Sequence, residues 1–185
     1  DNEMYHNSGD GLQIVAGSAG QQSTLHHIYV GRNISHDNKQ SGLWTKQATD
    51  VIFSQNTVYN CYPVGANPSS PGQGMGSQYA TERVWFLFNH IYNCAFGIFL
   101  ASDGGMGTGQ NVYVIGNVIH GIHHKSGDGS YNPASAWSNA AIMVNGMTQR
   151  YIINNTIWDV DAGINAPANQ GRIGVRGLFP ILISG

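Results

Sequence analysis

The sequence predicts an all-β solenoid, a parallel β-helix, on three observations. A four-residue phrase headed by asparagine recurs as Asn33-Ile34-Ser35-His36, Asn56-Thr57-Val58-Tyr59, Asn89-His90-Ile91-Tyr92, Asn117-Val118-Ile119-His120 and Asn155-Thr156-Ile157-Trp158. Asn2-Glu3-Met4-Tyr5 is a truncated first copy. The spacings are 31, 23, 33, 28 and 38 residues, as expected of one short repeat and longer ones with loops let in. Around each asparagine, apolar residues alternate with polar ones at the period of a strand.

The columns define the elements. Three residues before the asparagine stand Val30, Phe53, Phe86, Val114 and Ile152; five before stand Ile28, Val51, Val84 and Val112. Two after it stand Met4, Ser35, Val58, Ile91, Ile119 and Ile157. β-Branched and aromatic residues in this pattern form half-buried strands on both sides of an asparagine corner. A second short strand opens at a small residue further on: Gly11-Leu12-Gln13-Ile14, Gly42-Leu43-Trp44-Thr45, Gly74-Met75-Gly76-Ser77, Gly97-Ile98-Phe99-Leu100, Ala141-Ile142-Met143-Val144 and Gly163-Ile164-Asn165. About six coils follow, roughly 25–30 Å in height at the inter-strand spacing.

Between these strands the chain leaves the repeat. A glycine-rich loop follows the first coil. Pro63, Pro68, Pro71 and Gly72 mark a turn-rich insertion after Asn60, and glycines 104, 105, 107 and 109 mark another after the fourth second strand. A third insertion covers 123–138. In register these loops leave from the two corners flanking the second strand, so a trough along the helix axis is the expected site. After Ala166 the asparagine period stops. Residues 1–166 therefore form the expected β-helix domain, and 167–185 a tail or cap out of register.

Composition limits the partners. Of the 185 residues only 10% are charged and 25 are glycine, and the net charge is −2. That balance favours neither nucleic acid nor an anionic membrane, and no apolar run reaches the roughly 18–20 residues of a membrane span. The chain opens at Asp1 inside a coil, which is the expectation for a mature product or an excised fragment. Cys61 and Cys94 each lie five residues after their asparagine, in a column shared with Ile122 and Val160. Adjacent coils would stack the two sulfurs at about 4.8 Å, a spacing open both to a disulfide and to a buried thiol stack.

The phrases Ser8-Gly9-Asp10-Gly11-Leu12-Gln13-Ile14 and Asn33-Ile34-Ser35-His36-Asp37-Asn38 resemble repeats of the right-handed parallel β-helix proteins of the pectate-lyase-like superfamily. This resemblance covers residues 1–166. It implies a right-handed coil and a secreted, extracellular or periplasmic protein acting on polysaccharide, and it spans lyases, glycosidases, epimerases and non-catalytic proteins.

The trough then offers its own candidates. Outward positions of the second strand hold Gln13, Trp44, Phe99 and Met143, followed by Lys46 and Asn145. Aromatic faces suit the C–H face of a sugar and amides suit its hydroxyls; alternatively the loops fold over Trp44 and Phe99 and bury them. A polyuronide lyase needs a base for the C5 proton and stabilisation of the carboxylate-derived enolate. Lys46 is the candidate base, with Asp10 beside it; the competing reading makes Asp10 a turn-former and Lys46 a solvated end. The resemblance places a calcium-binding aspartate at Asp10, yet where related enzymes carry paired aspartates this chain reads Gln40-Ser41-Gly42. A glycosidase would use loop carboxylates such as Asp103. His36 and His120 share a column with Tyr5, Tyr59, Tyr92 and Trp158, which predicts a stacked ring ladder; His26-His27 and His123-His124 lack the spacing of a zinc site, and no metal ligand is assigned. The leading expectation is β-elimination on a polyuronide, with a carbohydrate-binding module or a glycoside hydrolase as alternatives.

Overall fold

A computed structural model describes residues 1–17, 24–63, 71–102, 107–124, 139–165 and the backbone of 173–176. In chain order the strands are β1 (Glu3–Tyr5), β2 (Leu12–Val15), β3 (His26–Gly31), β4 (Ile34–His36), β5 (Ser41–Lys46), β6 (Thr49–Ser54), β7 (Thr57–Tyr59), β8 (Gln73–Gln78) and β9 (Glu82–Leu87). They continue as β10 (His90–Tyr92), β11 (Phe96–Ala101), β12 (Gln110–Ile115), β13 (Val118–Ile122), β14 (Ile142–Asn145), β15 (Thr148–Ile153), β16 (Thr156–Val160), β17 (Ile164–Asn165) and β18 (Ile173–Arg176). Every third strand pairs in parallel, so three six-stranded sheets form: β1-β4-β7-β10-β13-β16, β2-β5-β8-β11-β14-β17 and β3-β6-β9-β12-β15-β18. This is a parallel β-helix. No helix of the described residues is long and apolar enough to cross a membrane.

The register follows the asparagine columns. Val51 pairs with Val84 and Phe53 with Phe86 in the third sheet, while Val58, Ile91 and Ile119 line up in the first. All of these are fully buried in a core that also takes Leu43, Met75, Ile98 and Ile142 from the second sheet. Phe53 and Phe86 stack inside it at 5.2 Å. Glycine opens the second strands for a steric reason. At Gly97 a Cβ would run into the carbonyl of Ala141 one coil on and into the Ile119 side chain.

The asparagines form a continuous amide ladder at the corner between the third and first sheets. Asn56 donates both its backbone N–H and its Nδ2 to Asn89 Oδ1, at 2.9 Å each, and Asn89 donates in the same way to Asn117. The Nδ2 groups of Asn56, Asn89, Asn117 and Asn155 also reach third-sheet carbonyls, as Asn89 does to Phe53 at 3.1 Å. The ladder thus satisfies corner groups that no strand pairs. At the next corner Asp37, Asn60, Asn93 and Asp159 all have φ between 51° and 54°, the left-handed conformation that Asn and Asp tolerate best.

On the outer face of the first sheet Tyr5, His36, Tyr59, Tyr92, His120 and Trp158 stack ring on ring. Centroids are 4.3–5.2 Å apart and planes lie within 11°. Cys61 and Cys94 are free and buried; the Cys61 N–H points at Cys94 Sγ, 3.4 Å away. Hydrogen bonding to Cys94 and burial push the Cys61 thiol well above its ordinary range. Of the segment expected to fall out of register, β18 is described, and it pairs with β15 from Arg150↔Ile173 to Ile153↔Arg176. Backbone pairing alone extends the sheet there, without an asparagine to announce it.

Candidate functional site

The outer face of the second sheet has three zones along the axis. Its first zone is polar. The Gln13 side-chain amide donates to Asp10 Oδ2, and the two residues sit three apart across the turn into β2. Ser41 follows Asp10 one coil on, and its hydroxyl donates to Gln73 Oε1 at 3.1 Å. Lys46 lies between Val15 and Gln78 in register, with Nζ 5.8 Å from the Tyr79 ring centroid, within reach of a cation–π contact.

Burial raises the Asp10 carboxyl above its ordinary value, against the opposing pull of Ser41, the Lys46 charge and Gln13. Asp10 Oδ1 is buried and makes no hydrogen bond of good geometry. A carboxyl so placed holds its proton to higher pH than a surface aspartate, and in that form it can donate to an anion. Tyr79 is a residue the sequence reading missed. It stands in left-handed conformation at φ 66°, as do Gln47 and Gly146 at the same corner. The corner, rather than any aromatic signal, brings its phenol beside Lys46, so only the register of β8 would have revealed it.

In the middle zone the packing reading of Trp44 and Phe99 describes their surroundings better than the platform reading. Trp44 and Phe99 do point away from the core, but they are 2% and 8% exposed and form their own cluster with Ala101 and Met143. The indole and the Phe99 ring lie 6.3 Å apart, tilted by 52°, and Phe99 stacks on Phe96 at 5.4 Å. Neither ring presents a free face to a sugar. The third zone holds Asn145, paired with Ala101 in register. Three strand spacings, about 14 Å, separate it from Lys46. Asp10 and Gln13 are therefore joined, with Lys46 at the far end of the neighbouring strand, where its charge still acts on Asp10; Met143 joins the buried aromatics, and Asn145 stands apart. Asp103 lies outside the described residues.

The third sheet carries exposed rings of its own, Tyr29 and Tyr151 among them. Trp85, Tyr113 and Tyr151 stack on one another at 5.3 and 4.8 Å, so the middle ring, Tyr113, has both faces covered.

Calcium, which the resemblance implies, does not fit this donor set. Asp10 brings one carboxylate, and its neighbours are an amide, a hydroxyl and an ammonium, whereas Ca²⁺ takes roughly six to eight oxygens. Among the described residues no group of three or more His, Cys, Asp and Glu side chains is arranged to hold a metal ion. His123 and His124 instead share Asp161, with Nδ1 atoms 2.8 and 2.6 Å from its two oxygens. Burial raises the Asp161 carboxyl, but those imidazoles and the His124 amide overcome it and leave it below its ordinary value.

No protein-family model matches the chain, and no curated protein matches it. Solved structures do. The mannuronan C-5 epimerase AlgE4 A-module of Azotobacter vinelandii is similar with a TM-score of 0.68 and 19% identity, over 93% of this chain and 43% of that one. The AlgE6 A-module of the same organism has a TM-score of 0.68 and 19% identity, over 97% of this chain and 45% of that one. The chain spans less than half the length of either, and the likeness establishes the parallel β-helix fold.

Proposed function

We propose that the chain processes an extracellular uronic-acid polymer by removing the proton at C5, with β-elimination as the reaction. What supports this reading is the Asp10–Gln13 pair at one end of the second sheet's outer face, with Lys46 on the adjoining strand and its charge acting on Asp10. Acidity at C5 depends on stabilising the adjacent carboxylate as it takes up charge. The Gln13 amide, held by Asp10, is the donor for that carboxylate, and Lys46 is the group that takes the proton. The electron pair then moves from the C5–H bond into the C5–carboxylate carbon bond. Elimination follows when that pair returns to form the C4–C5 double bond and expels the C4 glycosidic oxygen, which takes up a proton from solvent and leaves as the alcohol.

A second reading shares the first step. The two similar structures are C-5 epimerase modules, and Tyr79 gives this end of the face a second proton carrier beside Lys46. If a proton is returned to C5 from the opposite face, the product is the epimer and no bond to oxygen breaks.

Incubation with mannuronan, guluronan and polygalacturonate in D₂O separates the outcomes. Ultraviolet absorbance of unsaturated ends reports elimination, and deuterium at C5 without chain cleavage reports epimerisation. Lys46→Ala should abolish either signal. Binding without either signal would replace catalysis by a carbohydrate-binding role, and neither binding nor turnover on any of the three polymers overturns the proposal.

A further inference from the structure

On the outer face of the first sheet, well away from Asp10 and Lys46, two imidazoles converge. His90 and His120 are diagonal neighbours: β10 and β13 pair His90 with Val118 and Tyr92 with His120. Their Nε2 atoms are 3.0 Å apart. The His120 ring is fixed between Tyr92, at 5.2 Å and 4°, and Trp158, at 4.3 Å and 11°. His90 leaves this parallel order. It tilts by 35° from Tyr92 and 33° from His120, turning its Nε2 towards that of His120. Elsewhere in its column stand Ile34, Thr57, Val118 and Thr156, so the strand position has no general need of an imidazole.

We propose that His90 and His120 form a two-histidine site for a divalent transition metal of tetragonal preference, Cu²⁺ foremost. Imidazole is a ligand for this class of ion. With metal–nitrogen bonds of about 2.0 Å, nitrogens at this separation subtend roughly 95° at the metal. That is the angle between adjacent positions of a square-planar or tetragonal ion, and it is narrower than the tetrahedral angle zinc takes in its structural sites. Copper(II) also binds nitrogen sites more tightly than its first-row neighbours. The ring stack holds His120 in place before any ion arrives, which reduces the ordering cost of binding. Asp159 adds a nearby negative charge on the His120 side. With two protein ligands the remaining positions belong to water, so the site is open and its ion exchangeable.

The test is titration of the full chain with Cu²⁺, read by calorimetry and by electron paramagnetic resonance. One equivalent should bind with a superhyperfine pattern from two equatorial nitrogens. His90→Thr, which restores a residue its column already uses, and His120→Tyr, which keeps a ring in the stack, should each weaken that equivalent at least tenfold and remove the two-nitrogen pattern. Circular dichroism should stay that of the parent in both. His36→Gln, another member of the stack, should leave the copper signal unchanged. The proposal is overturned if the parent gives no two-nitrogen signal, or if that signal survives in His90→Thr because the copper sits on His26 and His27 or on His123 and His124.

Discussion

The indole of Trp44 occupies the space left by the missing side chain of Gly76, one coil further along the second sheet, where a Cβ would collide with the indole ring and with the Phe99 carbonyl. Trp44 is thereby laid flat against the sheet and packed towards Phe99. Its role is that of an outer, second core. Trp44→Ala should cost about 3–5 kcal/mol, as large aromatic truncations in packed sites do, with a matching fall in the urea midpoint. Affinity for a uronic-acid polymer, measured by calorimetry at a temperature where the variant is folded, should stay within twofold of the parent. A tenfold loss of affinity with little loss of stability would instead make the indole a sugar platform.

The amide ladder makes a sharper stability prediction. Asn89 Oδ1 receives two donors from Asn56, and its Nδ2 serves Phe53 and Asn117, all of it buried. Leucine fills a similar volume but leaves those donors and acceptors stranded, at about 1–3 kcal/mol for each unsatisfied buried group. Asn89→Leu should therefore lower stability by about 3 kcal/mol or more. Asn2→Leu, at the exposed end of the same ladder, should change it far less, because water replaces what is lost. Equal melting temperatures for Asn89→Leu and the parent would contradict the ladder's structural role.

These two cases show what the sequence carried and what it withheld. Asn89 was legible because a solenoid writes the same residue at the same corner in every coil, and register alone turns that repetition into a hydrogen-bond ladder. His36 and His120 were legible as ring-stack members for the same reason. Trp44 was half legible. Strand alternation places it on the outer face, but its burial depends on Gly76 in another coil and on what lies above it. Tyr79 was missed because a positive-φ corner, invisible in the residue type, turns it beside Lys46. Strand β18 was missed because backbone pairing needs no asparagine.

Asp10 should separate stability from function. Burial raises its folded pKa, so between its ordinary value of 3.8 and that raised value the folded chain binds more protons than the unfolded one. Stability from this group is then greatest in acid and falls as pH rises through the window. Asp10→Asn keeps an acceptor for Gln13 and removes the ionisation. The variant should lose less stability than the parent between pH 4 and pH 7 in urea titrations, and under the proposed reaction the rate of C5-proton removal should drop at least tenfold. A variant with parental turnover would take Asp10 out of the reaction.

His36 carries the opposite pH signature. Burial pulls its pKa down, but hydrogen bonds to Asp37 and Glu3 and their charges outweigh that, so the folded value is raised above 6.5. The ring has Nδ1 2.5 Å from Asp37 and Nε2 3.2 Å from Glu3, with Tyr5 and Tyr59 stacked on its two faces. Asn60 donates to the other Asp37 oxygen and helps to hold that carboxylate in place. A raised imidazole pKa stabilises the fold fully below the unfolded value, and the contribution is lost as pH rises through the folded value. Urea midpoints should therefore decline above pH 6.5, and His36→Gln should flatten that part of the profile. Proton NMR of the His36 ring should titrate above 6.5, and closer to it in Asp37→Asn. A His36 resonance titrating below 6.5 in the parent would remove both carboxylates as the cause.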